Sequence, residues 1–257
     1  MESHIKHLVD AYRASPEMDA VGMEDYPKIG AVAEVLQMLQ VPTPRPLEGE
    51  VAVKIAASAM HIDEIYAAQG TALGRFYGPK NVSKSNPARI GSCATGVIVG
   101  LGDGANKFSI GDDVIIIPSE QAQEGSWATY QCFKEKWIMP KPAQLSHVEA
   151  AAATMAACVA WGAIGAAKVN SGDHCVVVGA SGAIGVMVLQ YLKSLGCWVT
   201  AVCSGASESF VKQQGADSTV DYTKDDFGDV LLANTDPAEG FLIALAAETL
   251  SAVQCDA

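Results

Sequence analysis

Residues Cys175–Gly196, CVVVGASGAIGVMVLQYLKSLG, constrain the fold more than any other stretch of this chain. The β-branched run Val176–Val178 meets Gly179-Ala180-Ser181-Gly182-Ala183-Ile184-Gly185. Ile184, Met187, Val188, Tyr191, Leu192 and Leu195 then recur at helical spacing. Gly196 stands where a helix accepts a left-handed terminal residue. The pattern predicts strand, glycine turn and helix. Such a turn lets backbone approach a pyrophosphate and aims the helix N-terminus at its charge. A glycine trio alone also occurs in α/β turns that bind nothing. The next apolar run, Trp198–Val202, starts two residues past the helix stop and completes a βαβ unit.

The end of that second strand bears on which dinucleotide fits. An acidic residue there takes the ribose hydroxyls of NAD. Here the strand runs into Cys203-Ser204-Gly205, and the first acid is Glu208. A small uncharged pocket with a hydroxyl leaves room for a 2′-phosphate, so the expectation is NADPH over NADH. The nearest downstream cation is Lys212.

Composition excludes some partners. A net charge of −12 argues against nucleic acid and against anionic membrane surfaces, both of which call for Lys and Arg. The 7 cysteines show no CxxC pair and no disulfide framework, which points to reduced thiols and a cytoplasmic protein. The N-terminus has no apolar signal core and mixes acids with bases, unlike a mitochondrial presequence, though a mitochondrial location stays open. Ala150–Ala167 is uncharged over 18 residues, but ten are Ala and two are Gly. A buried helix between two domains is expected there rather than a membrane span.

Residues 1–30 give an acidic lead-in, with a first strand near Ala31–Leu39. Val51, Val53 and Ile55 alternate with Ala52, Lys54 and Ala56, the period of a half-buried strand. Gly70–Ala88 has loop composition. Thr95–Val99 and Val114–Ile117 are expected strands, with turns at GLGDGANK and SIGDD. A small β-rich domain therefore precedes the α/β unit.

Four stretches in order carry a resemblance: Ser58–Gly70 (SAMHIDEIYAAQG), Ile90–Val114, Gly125–Trp161 and Gly172–Tyr222. Together they resemble the medium-chain dehydrogenase/reductases, nearest to the zinc-independent quinone oxidoreductases and enoyl-thioester reductases. The resemblance implies an α/β protein with a GroES-like β-rich catalytic domain over 1–150. A Rossmann domain follows over 151–257, with NADPH in the cleft between the two. It implies that Gly179, Ser181, Gly182, Ala183 and Ile184 line the pyrophosphate and that Ser204 faces the 2′-phosphate. Tyr222 lies by the adenosine on that reading, or is an ordinary strand-end aromatic.

The chain departs from that pattern in several places. Zinc-dependent relatives carry Cys at the position of His61, a His-Glu pair at Ser92-Cys93 and Cys near Met155. Met is a poor zinc ligand, so a metal-free site is expected. Zinc-free relatives usually have Asn at His61, and some enoyl reductases have a Tyr acid at Ala72. His61 is the candidate catalytic residue, able to polarise a carbonyl or deliver a proton; a pocket-wall role is the alternative. Tyr66 is a second candidate donor or plain core. Cys93 is expected to be a buried small residue rather than a nucleophile.

The implied reaction is NADPH-dependent reduction of a quinone or an α,β-unsaturated carbonyl or thioester, a small-molecule substrate. The alternative is a catalytically impaired or truncated relative that binds the cofactor in a regulatory role. The resemblance fades after Phe227. Val230–Ala233 is then the only candidate for a fourth strand, and Phe241–Val253 is expected to be helical. The expectation is thus an incomplete, C-terminally truncated Rossmann domain with an open sheet edge that invites association as a homodimer.

Overall fold

Ile5, Leu8, Val9 and Tyr12 fall at i, i+3, i+4 and i+7. The helix they form, α1 (Glu2–Ala14), buries Leu8, Val9 and Tyr12. Arg45 secures its C-terminal end by donating to the carbonyls of Tyr12, Arg13 and Ser15, with its guanidinium over the Tyr12 ring. The expected lead-in is therefore a helix followed by strand β1 (Glu17–Met23). The computed structural model describes residues 2–25, 36–68, 82–117, 125–224 and 242–245. Two units emerge from it, Met1–Met155 and Ala156–Ala257.

In the first unit β1 pairs antiparallel with β2 (Gln37–Pro42), Glu17 opposite Pro42 and Gly22 opposite Gln37. The strand expected near Ala31–Leu39 thus starts later, because pairing to β1 sets its register; 31–35 lie outside the described residues. The elements that follow are β3 (Glu50–Ser58), α2 (Ile62–Ala68), β4 (Ala88–Arg89), β5 (Ala94–Leu101), β6 (Asp113–Ile116), β7 (Tyr130–Lys134) and β8 (Ile138–Pro140). A five-stranded antiparallel sheet runs β7-β3-β5-β6-β8, and a three-stranded one runs β2-β1-β4.

β3 corrects the expectation of a half-buried strand. Val51 and Val53 enter one apolar cluster with Ile98, Val114 and Phe133, while Ala52 on the opposite face joins Tyr12, Val99 and Tyr130 in another. Both faces are covered over Glu50–Val53, where α1 and β1 close over the side that alternation alone leaves to water, while Lys54, Ile55, Ala57 and Ser58 are only half-buried and Ala56 is exposed.

Helix α3 (His147–Ala167) opens on a capping box. The Ser146 N–H and hydroxyl both donate to Glu149 Oε2, at 2.8 and 2.7 Å, and the Glu149 N–H donates back to Ser146 Oγ. The helix is not the buried element expected. Ala150, Thr154, Ala160 and Ile164 are buried, but Val148, Val159 and Trp161 are exposed. Its apolar character comes from Ala and Gly, whose exposure costs little, so one stripe of contact suffices.

In the second unit, β9 (His174–Val178), α4 (Ala183–Ser194), β10 (Trp198–Cys203), α5 (Glu208–Gln213) and β11 (Ser218–Asp221) follow in alternation. α4 lays Gly185, Val188, Leu189 and Leu192 onto the sheet. Each of the two fully buried leucines contributes roughly 1.5–3 kcal/mol. The helix ends in a Schellman turn: Gly196, at φ +80°, donates to Lys193 O, and Cys197 donates to Leu192 O.

A last strand, β12 (Leu242–Leu245), pairs parallel with β9, Leu242 opposite Cys175 and Leu245 opposite Val178. This corrects the helix expected over Phe241–Val253. Four-residue apolar runs are ambiguous by periodicity, and the open edge of β9 decides between strand and helix. The expected strand Val230–Ala233 and residues 246–257 lie outside the described residues. The resulting sheet is wholly parallel in the order β11-β10-β9-β12, the 3-2-1-4 order of a dinucleotide-binding half.

Candidate functional site

The switch point of a 3-2-1-4 sheet lies at the carboxyl ends of its first and fourth strands, here β9 and β12. The glycine turn leaves β9 at that place. The Gly179 and Ala180 N–H groups donate to Val202 O at 3.1 and 3.2 Å, tying the turn to β10. Gly182 is the N-cap of α4 and offers no side-chain cap, and no acidic residue stands in the first turn. The N–H groups of Ala183, Ile184 and Gly185 therefore point out of the helix without intrahelical partners. Gly185 is required by close approach: a Cβ there would collide with Gly179 O and come within 2.7 Å of Ala180 Cα. Ser181 and Ala183 are exposed and Gly182 and Ile184 half-buried, so the turn is open to a ligand. Its donors, its charge-free first turn and its tight backbone fit a pyrophosphate.

At the end of β10, Ser204 is half-buried and its hydroxyl lies 3.2 Å from that of Ser207. β11 runs parallel to β10 with Cys203 opposite Asp221. The register carries an acid and a base, neither foreseen for this site, to the same sheet end as Ser204. The Asp221 carboxylate is 5% exposed, accepts the Thr223 hydroxyl at 2.7 Å and its N–H at 3.0 Å, and pairs with Lys224 Nζ at 3.1 Å. The Thr223 donors, then Lys224, hold its carboxyl down at about 2. Burial first, and then the charges of Glu208 and Asp221, push the Cys203 thiol up. Tyr222 is 56% exposed, and its N–H donates to Cys203 O. No short-range signal links Ser204 to Asp221 and Lys224, because only strand pairing brings them together.

In the first unit His61 is the N-cap of α2. Glu64, three residues on, reaches back to accept the His61 N–H at 2.6 Å, half of a capping box. The same buried carboxylate accepts the Ser92 N–H at 2.9 Å and the Ser92 hydroxyl at 2.7 Å. Glu64 thereby locks the His61 segment to the loop before β5. The spacing His61-x-x-Glu64 was the available signal for it. His61 Nε2 is buried and has no hydrogen-bond partner among the described residues. A ring nitrogen left orphaned in this way suits a group that meets a substrate.

Cys93 is fully buried, and its carbonyl accepts the Ser58 hydroxyl and the Ala59 N–H. Tyr66 is half-buried on α2, and Ala72 lies outside the described residues. Among the described residues no group of three or more His, Cys, Asp or Glu side chains is placed to hold a metal ion.

Residues 47–143 match the alcohol dehydrogenase GroES-like domain. The chain is 32% identical over 221 residues to 2-methylene-furan-3-one reductase of Solanum lycopersicum, covering 83% of this chain and 54% of that protein. It is 35% identical over 189 residues to the mitochondrial NAD(P)H oxidoreductase RTN4IP1 of Danio rerio, covering 68% and 48%. The quinone oxidoreductase structure from Coxiella burnetii superposes with a TM-score of 0.75 at 25% identity, over 88% of this chain and 68% of that one. The chain belongs to the medium-chain dehydrogenase/reductase superfamily. Within that superfamily it falls in the quinone oxidoreductase branch, as a GroES-like domain followed by a Rossmann fold. It spans about half the length of the curated relatives it matches.

Proposed function

We propose that this medium-chain dehydrogenase/reductase is an NADPH-dependent oxidoreductase reducing a quinone or an α,β-unsaturated carbonyl or thioester. The observation that carries the reading is the uncapped N-terminus of α4 behind a glycine turn at the switch point of a 3-2-1-4 parallel sheet. With its pyrophosphate at that turn, a reduced nicotinamide dinucleotide would supply the electron pair and hydrogen for the reduction. The chain's own residues bind and orient. The amides of Ala183, Ile184 and Gly185, with the backbone of Gly179, Ser181 and Gly182, hold the pyrophosphate. Ser204 faces the 2′-phosphate, and the exposed Tyr222 ring offers a stacking surface for the adenosine.

His61 Nε2 polarises the substrate carbonyl or delivers a proton to it, in a site that works without metal. Glu64 positions His61 through its backbone N–H. The relatives' names support this reading: one is an NAD(P)H oxidoreductase and another an NADPH-dependent alkenal/one oxidoreductase of Arabidopsis thaliana.

NADPH consumption by the purified chain, measured against a panel of quinones, enones and enoyl thioesters, tests the reading. Turnover on at least one member is expected. NADPH binding without turnover on any of them points instead to a cofactor-binding relative, and absence of binding removes the proposal altogether.

A further inference from the structure

The strand end that selects the dinucleotide carries only hydroxyls in sequence: Ser204-Gly205-Ala206-Ser207 has neither acid nor base. The parallel register of β11 on β10 changes that content. Asp221 arrives opposite Cys203, and its Oδ2 packs against Gly205 so closely that any Cβ at Gly205 would overlap it. The turn after β11 folds back on Asp221, with the Lys224 N–H donating to Asp221 O at 3.1 Å. This brings Lys224 Nζ to 3.1 Å from Asp221 Oδ2 and to 3.5 Å from where a Gly205 Cβ would stand. The Lys224 side chain is 71% exposed, so a ligand can reach it.

We propose that Lys224, anchored by the covered Asp221 carboxylate beside Gly205, is the cation that receives the 2′-phosphate and sets the preference for NADPH over NADH. The proposal rests on the cofactor reading above and adds the residue that decides between the two dinucleotides. A carboxylate standing alone at this place repels a phosphate and favours ribose hydroxyls, the arrangement of an NAD site. Paired with Lys224, its charge is balanced, and the ammonium can meet a phosphate monoester as a compact point charge. The Ser204 and Ser207 hydroxyls flank the same turn. Asp221 is thus a positioning residue, and Gly205 is the residue whose missing side chain lets the pair close over the turn.

The test is a binding titration of the whole chain with NADPH and with NADH, followed by protein fluorescence at low and at moderate salt. It compares the wild type, Lys224→Ala, the double variant Lys224→Ala/Asp221→Asn, and Lys212→Ala as the neighbouring-cation control. Lys224→Ala is expected to raise the Kd for NADPH about tenfold or more while leaving the Kd for NADH within about twofold. The salt dependence of NADPH binding should fall with it. Removing the Asp221 charge in the same background should recover part of the lost NADPH affinity, a result that a purely structural role for Lys224 does not give.

Retained NADH binding shows that the variant is folded. Equal losses for both dinucleotides, no loss at all, or a loss carried by Lys212→Ala instead would overturn the proposal while leaving the cofactor reading standing. A wild type that prefers NADH overturns the proposal and, with it, the NADPH part of the reading it rests on. A wild type that binds neither dinucleotide overturns both.

Discussion

At the scale of single residues, His61 and Asp221 show how burial and hydrogen bonding define a site before any ligand is considered. The buried Nε2 of His61, without a hydrogen-bond partner among the described residues, is the atom proposed to meet a substrate. His61→Ala is expected to lower kcat about tenfold or more, the usual range for a general acid–base group, with the Kd for NADPH unchanged. An unaltered kcat returns the residue to the pocket wall. Asp221 makes a different kind of prediction. Its folded carboxyl is held at about 2, below the ordinary 3.8, so the ionised form is favoured in the native state. The stability it contributes is complete above that ordinary value and drains away as pH falls from there through about 2. The difference in melting temperature between wild type and Asp221→Asn should therefore be full at pH 5 and above, on this linkage, and shrink on acidification below about pH 4. A difference that does not change over that range would show that the carboxylate's charge is not what the fold uses. Placing Asp at Ser204 adds a second negative charge at the same strand end, and Ser204→Asp is expected to reverse the order of NADPH and NADH affinity. Retention of the wild-type order would remove Ser204 from the 2′-phosphate site.

At the scale of elements, α4 serves the core and the glycine turn together. Leu189 and Leu192 are fully buried against the sheet, so Leu189→Ala should cost about 2–5 kcal/mol in urea unfolding. Cofactor affinity measured on the folded fraction should change little. Gly185→Ala should do the reverse. Its Cβ meets backbone of the turn rather than a yielding side chain, so the turn has to shift, and dinucleotide binding should weaken more than stability does. Comparable losses of binding in the two variants would mean that the turn has no role separate from packing. The glycine trio, the helix and its left-handed Gly196 terminus were all legible in sequence, since each depends on neighbours within about one turn. β12 was not. FLIALAAETLSAV carries apolar residues that suit either a strand or a helix, and the free edge of β9 draws Leu242–Leu245 into the sheet. α1 was legible too, since its apolar residues at 5, 8, 9 and 12 keep helical spacing inside an acidic stretch.

At the scale of the molecule, the GroES-like and Rossmann folds place the chain in its superfamily, while the chemistry proposed for it rests on a few positions that differ from the zinc enzymes. Ser92 gives both its N–H and its hydroxyl to Glu64, and Met155 stands mid-helix in α3. Activity should therefore survive chelators, and purified protein should hold no stoichiometric zinc; one tightly bound zinc per chain in elemental analysis would overturn that expectation. The six described cysteines form no disulfide, and burial, with the neighbouring Cys197, pushes the Cys175 thiol up to about 12, so it is poorly disposed to act as a nucleophile. The sequence by itself determined the order of the two folds, the strand–turn–helix proposed to hold a pyrophosphate and the candidacy of His61, because these depend on short-range spacing and on motif order. Tertiary structure alone decided that the first half of β3 is covered on both faces, that Glu64 ties His61 to Ser92, and that Asp221 and Lys224 stand beside Gly205. Each of those depends on a strand register or a loop contact across many residues, which hydrogen bonding between distant backbone segments fixes and local spacing does not encode.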